Sequence, residues 1–180
     1  MKEIIHCTIR KGTEADLPAL AAIEKEVFGG EAWTAEMFRV YIDMPEAVFL
    51  VAEDTAEKAA DATGSSDAAG KADAAGNSGA AGDIAGYIVI ETVAPEGFIY
   101  NVCVSPAYRR QGLARAMLLQ AMDEARTRLN VDAFTLEARA SNTAARALYE
   151  SLGFAFAGYR PGYYSDPRED AATYWLRNHT

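Results

Sequence analysis

The chain has 180 residues and a formal net charge of −9 at pH 7, which fits one acidic domain with a core large enough to fold unaided. We expect no general binding to nucleic acid, because binding its phosphates requires a basic face. No apolar stretch is long enough to span a bilayer or to act as a signal core, so we expect a cytoplasmic protein with no membrane partner. Cys7 and Cys103 are too few for a disulfide framework or a zinc cluster, and we expect no metal site.

The first half of the chain predicts a strand, two helices and a β-hairpin. Residues 4–10 form the first strand, and apolar residues at helical spacing follow a cap at Thr13 as far as Phe28. Thr34 can cap a second, short helix that ends near Met44. The runs AVFLVA and IAGYIVIETV are rich in β-branched and aromatic residues, so they predict the two strands of the hairpin.

Residues 54–83 lie between these two strands and contain no Val, Ile, Leu, Met or aromatic residue. Such a segment cannot bury enough apolar surface to offset its ordering entropy, which predicts a disordered insert. We place this insert at the tip of the hairpin, where long excursions cost little. The whole chain, residues 1–180, is then a single domain that carries one insert.

The second half predicts alternating strands and helices. GFIYNVCV reads as a fourth strand, buried on both faces, and a helix starts at Gly112. FTLEA is a fifth strand, NTAARALYESL is a fourth helix that ends at Gly153, and FAFAGYR and AATYWL are two last strands. The predicted order is β α α β β β α β α β β. This order indicates an α/β (α+β) fold, with helices on both faces of a mixed, mostly antiparallel sheet that contains a parallel pair in its second half.

A basic turn, RRQGLAR, connects the fourth strand to the following helix. Free N–H groups at a helix start, together with the helix dipole, bind phosphate where a glycine allows close approach. The spacing fits neither a P-loop nor the dinucleotide fingerprint. Simple solvation of the arginines is the alternative. Arg109, Gly112 and Ala114 do match the R-x-x-G-x-A pyrophosphate loop of the GCN5-related N-acetyltransferases.

Three segments carry a more specific resemblance. NVCVSPAYRRQGLARAMLL, LEARASNTAARALYESLGF and YRPGYYSDPREDA occur in this order between Asn101 and Ala171. Together they closely resemble the RimI family of bacterial ribosomal-protein alanine N-acetyltransferases. The likeness extends over nearly the whole chain outside residues 54–83. Around FGGEAW it is limited to Phe28 and Trp33, because Gly29, Gly30 and Glu31 change the length and charge of that loop.

The resemblance implies acetyl-CoA as cosubstrate and assigns roles to individual residues. Glu137 matches the general base and Tyr149 the general acid, while a backbone N–H of the strand residues Val102 to Val104 is the expected oxyanion donor. Asn142 matches a residue that hydrogen-bonds the pantetheine arm, and Trp33, Tyr163 and Tyr164 match the acceptor side. The residues expected to bind the cosubstrate are Val102, Cys103, Val104, Arg109, Arg110, Gln111, Gly112, Leu113, Ala114, Arg115 and Asn142.

Each role has a structural alternative. Glu137 can be a solvent-facing strand residue, Tyr149 a core aromatic, and the tyrosine pair hairpin residues. Cys103 reads as a packed strand residue, because no histidine near it in sequence could activate the thiol; we therefore expect direct transfer.

The family's acceptor is a protein N-terminus, the alanine of small-subunit ribosomal protein eighteen. Acetylation of another terminus, a lysine or a small amine is the second hypothesis. A non-catalytic acyl-CoA-binding regulator is the third.

Overall fold

The computed structural model describes residues 7–55 and 83–177. Within them the strands are β1 (Cys7–Lys11), β2 (Ala47–Asp54), β3 (Ile84–Val93), β4 (Glu96–Val104), β5 (Ala133–Arg139), β6 (Ala155–Ser165) and β7 (Arg168–Arg177). The α-helices are α1 (Leu17–Phe28), α2 (Ala35–Ile42), α3 (Leu113–Leu129) and α4 (Thr143–Ser151). The strands form one sheet in the order β1-β2-β3-β4-β5-β7-β6. Only β4 and β5 pair in parallel, so the predicted element order and mixed sheet are confirmed.

Helices cover both faces of the sheet, as predicted. On one face α3 and α4 pack on the sheet through Leu113, Met117 and Tyr149, among others. On the other face α1 and α2 pack through Leu20 and Phe38 against β2, β3 and β4. Full burial of a large apolar side chain contributes about 1.5 to 3 kcal/mol, so these two apolar layers hold the helices in place.

The prediction that the fourth strand is buried on both faces is wrong. In β4 only Gly97, Ile99 and Cys103 are buried, and the Tyr100 side chain is 52% exposed. The register between β3 and β4 shifts at this point, where Val89 opposes Asn101 but Ile90 opposes Ile99, so Tyr100 is an extra, bulged residue. Pairing of β4 with β5 is limited to residues 96–99, and beyond them the two strands part.

The ends of two predicted segments need correction. Asp54 is the last residue of β2, and its N–H donates to the Asp83 carbonyl at 2.8 Å, so the strand includes the first residue of the predicted insert. Residues 56–82 of the predicted insert lie outside the described residues. The first described strand begins at Cys7 and continues to Lys11, one residue past its predicted end.

In residues 7–55 and 83–177, no helix is both long and apolar enough for a membrane span.

Candidate functional site

A cleft of about 1110 Å³ opens where β4 and β5 part. It is bounded by the start of α3, by α4, and by the loop between α1 and α2. The predicted site residues that line it are Trp33, Val102, Cys103, Val104, Arg109, Arg110, Gly112, Leu113, Ala114, Arg115, Glu137, Asn142, Tyr149, Tyr163 and Tyr164. Gln111 is not among the lining residues; its side chain donates to the Ala107 carbonyl at 3.3 Å. The fold thus brings together residues that lie up to 131 positions apart in the chain.

The basic turn has the backbone of an anion-binding helix start. Gly112 precedes α3 with φ 89° and ψ 1°, a left-handed conformation that a glycine adopts without steric cost. Arg110 also has a positive φ, 62°. The first N–H groups of α3 have no acceptor within the helix, so they are free to bind an anion in the cleft.

The arginine side chains are partly engaged by the protein itself. The Arg109 Nε donates to the Val104 carbonyl at 3.0 Å, and an Arg115 guanidinium nitrogen donates to the Ser151 hydroxyl at 3.0 Å. Their charges therefore lie at the cleft, but their positions follow from contacts with β4 and α4. The backbone N–H groups at the start of α3 are therefore available as donors alongside these charges.

The open edge of β4 presents main-chain donors to the cleft. Ser105 N–H donates to the Ala85 carbonyl and so points toward β3. Because successive residues of a strand point their N–H groups to opposite sides, the N–H groups of Val104 and Val102 point to the open edge. Two of the three residues that we expected to supply an oxyanion donor therefore have suitably directed amides.

Cys103 lies between these two residues and is buried. Burial, with the nearby Glu24 carboxylate, raises the pKa of its thiol to about 12. The thiol is therefore protonated at neutral pH, and a protonated thiol is a poor nucleophile.

Glu137 lies on β5 and forms an ion pair with Arg160 of β6, with 2.8 Å between Oε1 and an arginine Nη1. The carboxylate is 26% exposed and the guanidinium 61% exposed, so the pair lies at the open side of the cleft. The Arg160 guanidinium also stacks over the Tyr163 ring, 4.6 Å from its centroid. Glu137 is therefore neither an isolated surface carboxylate nor a free base in this state.

Tyr149 is buried on α4 and packs edge-on against Phe154. Burial, together with the nearby Tyr164, raises the pKa of its phenol above the ordinary value. The hydroxyl consequently keeps its proton throughout the neutral range and can act as a donor in the cleft.

Asn142 precedes α4 instead of lying on it, which corrects the prediction that it is part of the helix. It is the N-cap residue, and its side-chain oxygen accepts from Ala145 N–H at 3.1 Å. Asparagine is a preferred N-cap because its side chain satisfies such a free N–H group. Its amide nitrogen is the atom left to donate to a ligand, and that role stays a prediction.

The other end of the cleft lies between the α1–α2 loop and the β6–β7 turn. Gly29–Glu31 form a short 3₁₀ turn there, and the Glu31 carboxylate pairs with Arg139 of β5. Burial opposes ionisation of Glu31, but hydrogen bonds from Arg139 and from the N–H groups of Asp166 and Ser165 outweigh it, so the pKa of Glu31 is lowered. The hydrogen bonds from Ser165 and Asp166 to Glu31 join the α1–α2 loop to the β6–β7 hairpin.

The aromatic residues predicted for the acceptor side all lie at this end. The Arg139 guanidinium is 4.2 Å from the centre of the Tyr164 ring, and Tyr163 packs edge-on against Tyr164 at 5.0 Å. Trp33 stacks on Tyr41 with 5.7 Å between ring centroids. Trp33, Tyr163 and Tyr164 all line the cleft, and we refer to them as its aromatic wall.

Sequence reasoning missed several charged or polar residues at the cleft, among them Glu24, Asn101 and Arg139, which line it, and Arg160, which pairs with the lining residue Glu137. Glu24 did carry a signal, because it occupies an apolar position of the α1 pattern, four residues after Leu20 and seven after Leu17. It is fully buried. Arg139 and Arg160 carried no such signal, since their partners are distant in sequence.

Residues 17–154 match the acetyltransferase (GNAT) family, and the chain belongs to that family. Over 90 residues it is 48% identical to the ribosomal protein bS18-alanine N-acetyltransferase of Escherichia coli (strain K12). This alignment covers 49% of the present chain and 60% of the relative, so the chain spans about 60% of the length of that curated relative.

Solved structures extend the similarity over the whole fold. The crystal structure of the ribosomal-protein-S18-alanine N-acetyltransferase from Escherichia coli has a TM-score of 0.73 at 31% identity, covering 97% of this chain and 95% of that one. Arabidopsis thaliana NAA60 in complex with acetyl-CoA has a TM-score of 0.73, covering 96% and 99% of the two chains. At 16% identity, the latter shows a shared fold alone. These findings confirm the resemblance described from the sequence.

Proposed function

We propose that this protein is an acetyl-CoA-dependent N-terminal protein acetyltransferase. The observation that carries the proposal is the cleft itself, which brings an anion-binding turn, a carboxylate on β5 and a buried phenol on α4 into one cavity. A pyrophosphate-binding loop alone would suit any acyl-CoA-binding protein. The additional presence of Glu137 and Tyr149 in the same cavity supports catalysis over a regulator that only binds.

Acetyl-CoA fits the cleft in one direction. Its pyrophosphate would bind the N–H groups at the start of α3, near Gly112 and Arg110. Its pantetheine arm would follow the open edge of β4, and Asn142 would donate to it. The thioester would then lie near the N–H groups of Val102 and Val104. The NAA60 complex with acetyl-CoA, which shares this fold, supports the choice of cosubstrate.

The chemistry requires two proton transfers. The α-amino group of the acceptor has a pKa near 8, so part of it is neutral at pH 7. Its nitrogen attacks the thioester carbon while Glu137 accepts the proton that it loses, directly or through water. Main-chain N–H groups of β4 stabilise the oxyanion. The C–S bond then breaks, and Tyr149 protonates the departing CoA thiolate and is reprotonated from solvent.

The transfer is direct, with no acetylated enzyme intermediate. The raised pKa of Cys103 and its burial leave no ready thiolate on β4 to accept the acetyl group. Recovery of an acetyl group on Cys103 during turnover would contradict this step.

The acceptor is a protein N-terminus, and the alanine terminus of small-subunit ribosomal protein eighteen is the first candidate. Both Escherichia coli relatives bear that activity in their names. The aromatic residues and the Glu31–Arg139 pair form the acceptor end of the cleft, where a chain terminus can enter.

The test is an acetylation assay on matched peptides that begin with Ala, Ser, Met or Gly, compared with an N-terminally blocked peptide that carries an internal lysine. Free CoA and peptide mass are measured together. We expect acetylation of the free terminus, with alanine preferred. Exclusive modification of lysine would show that the acceptor is a lysine side chain and not a protein N-terminus. Binding of acetyl-CoA without CoA release from any peptide or small amine would favour the binding regulator.

A further inference from the structure

A buried carboxylate lies behind the acceptor end of the cleft, and the steps above do not use it. Glu24 on α1 is 0% exposed. One carboxylate oxygen accepts from the Trp33 main-chain N–H at 2.6 Å, and the other accepts from the Asn101 side-chain amide at 2.9 Å. Burial raises its pKa, against the effect of these two hydrogen bonds. Burying a charge is costly unless hydrogen bonds or an opposite charge compensate it, so these two hydrogen bonds are needed to keep Glu24 in place.

The two hydrogen bonds of Glu24 join three parts of the site. Glu24 itself is on α1, Trp33 is on the loop that faces the acceptor, and Asn101 is on β4 immediately before Val102. The aromatic wall at Trp33 is therefore tied to the strand that presents the oxyanion donors.

We propose that Glu24 is a positioning residue that sets the distance between the acceptor-side loop and the oxyanion-binding edge of β4. This inference rests on the proposed function. The acceptor amine reaches the thioester correctly only if loop and strand keep a fixed spacing, and misplacement by about 1 Å can cost on the order of 10²-fold in rate. Glu24 does not touch the reacting atoms, because both of its oxygens face protein donors.

Substitution by glutamine separates positioning from proton transfer. In Glu24→Gln the amide oxygen can still accept from Trp33 N–H, and the amide nitrogen can donate to Asn101 once the Asn101 amide turns over. We therefore expect Glu24→Gln to keep kcat/KM for the peptide within about threefold, whereas Glu24→Ala loses about tenfold or more, mainly in KM for the peptide. A residue acting as a base would instead lose about 10²- to 10⁴-fold in both variants, and that outcome would overturn the proposal.

A pair of substitutions on both partners gives a second, independent test. Asn101→Asp places a second carboxylate beside the buried Glu24 carboxylate, so we expect it to reduce peptide kcat/KM by about tenfold or more. Adding Glu24→Gln restores one donor and one acceptor, and we expect the double variant to recover to within about threefold of the wild type. Failure of Glu24→Gln to improve Asn101→Asp would contradict the proposed contact.

Fluorescence reports the loop without requiring activity. The chain has two tryptophans, so Trp175→Phe leaves Trp33 as the only tryptophan, whose emission can be excited selectively over that of the tyrosines. In that background we expect Glu24→Ala to increase quenching of Trp33 by acrylamide, and Glu24→Gln to leave it unchanged. The matched control is Asp16→Asn, because Asp16 is an equally buried carboxylate that bonds Arg10 away from the cleft.

The control variant should lower stability without changing Trp33 quenching or the KM for the peptide. Unchanged quenching in Glu24→Ala would overturn the inference even if the enzyme is active. Absence of peptide acetylation by the wild type, with the quenching pattern as expected, would instead overturn only the proposed function.

Discussion

The Tyr149 hydroxyl is the group that we assign to protonation of the leaving thiolate. Its burial raises the pKa of the phenol, so the proton is present near neutral pH, where part of the acceptor amine is already neutral. We expect Tyr149→Phe to lower kcat by about 10²- to 10⁴-fold, the usual contribution of a general acid. The affinity for acetyl-CoA should change little, because the ring is retained. Initial rates of CoA release and a separate binding titration measure the two effects.

Tyr159→Phe is the matched control for this substitution. Tyr159 is 53% exposed on β6 and is not among the residues that line the cleft, so the control variant should keep full activity. Equal activity of Tyr149→Phe and wild type would remove Tyr149 from the mechanism.

Arg160 holds Glu137 by an ion pair that a substrate can displace. Exposed pairs contribute about 0 to 1 kcal/mol, and here the guanidinium is 61% exposed. In the proposed mechanism the acceptor would arrive partly as an ammonium and would compete with this guanidinium for the same carboxylate. We expect Arg160→Gln to lower the KM for the peptide by about two- to fivefold, as loss of a pair of that strength allows.

Steady-state rates over a range of peptide concentration measure this change. Arg177→Gln removes the same charge at a position stacked on Trp175, away from the cleft lining, and should leave the KM unaltered. An increase in KM for Arg160→Gln would show that Arg160 assists binding instead of competing with it.

At the scale of elements, the corner between β1 and α1 predicts how stability depends on pH. Burial opposes ionisation of Asp16, but hydrogen bonds from Arg10 and Thr13 outweigh it, so the pKa of Asp16 is lowered in the folded protein. A carboxylate with a lowered folded pKa contributes stability above its unfolded pKa, which is about 3.9. That contribution is lost as the pH falls through the folded value.

We therefore expect the free energy of unfolding to decrease as the pH falls below about 4, and to decrease less in Asp16→Asn. At pH 7 this variant should be less stable by about 1 to 3 kcal/mol, because it weakens buried hydrogen bonds. Urea unfolding at several pH values measures both quantities. Glu14→Gln, which removes an exposed pair with Arg39, should shift neither curve by more than about 0.5 kcal/mol. Parallel curves for wild type and Asp16→Asn would contradict this account.

Helices and strands could be predicted from the sequence wherever a single pattern of apolar residues, at helical or strand spacing, runs through the whole element. The apolar spacing of α1 and the β-branched runs of β2 and β3 are such cases. The interpretation of β4 was wrong, because its apolar run does not reveal the bulge at Tyr100 or the end of its pairing with β5. A continuous apolar run can line a cleft as well as a core. Asn142 was placed inside a helix for a similar reason, since capping depends on where the backbone turns.

For the whole molecule, the closed end of the β2–β3 hairpin carries a prediction about the insert. Asp54 and Asp83 are hydrogen-bonded neighbours at 2.8 Å, so a short turn can connect them. Each doubling of loop length costs about 0.6 kcal/mol, so replacing residues 56–82 with a four-residue turn should stabilise the fold by roughly 1 to 2 kcal/mol. Thermal unfolding and acetyl-CoA titration measure the outcome.

The shortened protein should retain Asp54, because its carboxylate accepts from the Tyr108 hydroxyl at 2.8 Å, close to the basic turn. With that contact intact, we expect acetyl-CoA affinity to stay within about twofold. A large loss of affinity would assign residues 56–82 a part in cosubstrate binding.

The candidate site was predictable where the family motifs are local. The turn at Arg109–Arg115, Glu137 and Tyr149 all lie within recognisable segments, and the fold gathers them in one cleft. The contacts that tune the site were not predictable, because they join distant positions. Arg160 reaches Glu137 across 23 residues, and Asn101 reaches Glu24 across 77. Such pairs depend on how strands align across the sheet, which single residues do not encode.

The parting of β4 and β5 makes the centre of the sheet incomplete. In the described chain, no strand pairs with the edge of β4 that carries the Val102 and Val104 amides. Amides without a partner strand exchange their hydrogens with water through small local openings. A pantetheine arm, which contains two amide groups, would fill the gap as a further strand does. Bound cosubstrate should therefore slow hydrogen exchange along this edge of β4. The protection of the Val102 and Val104 amides would then report the fraction of the enzyme that has bound cosubstrate.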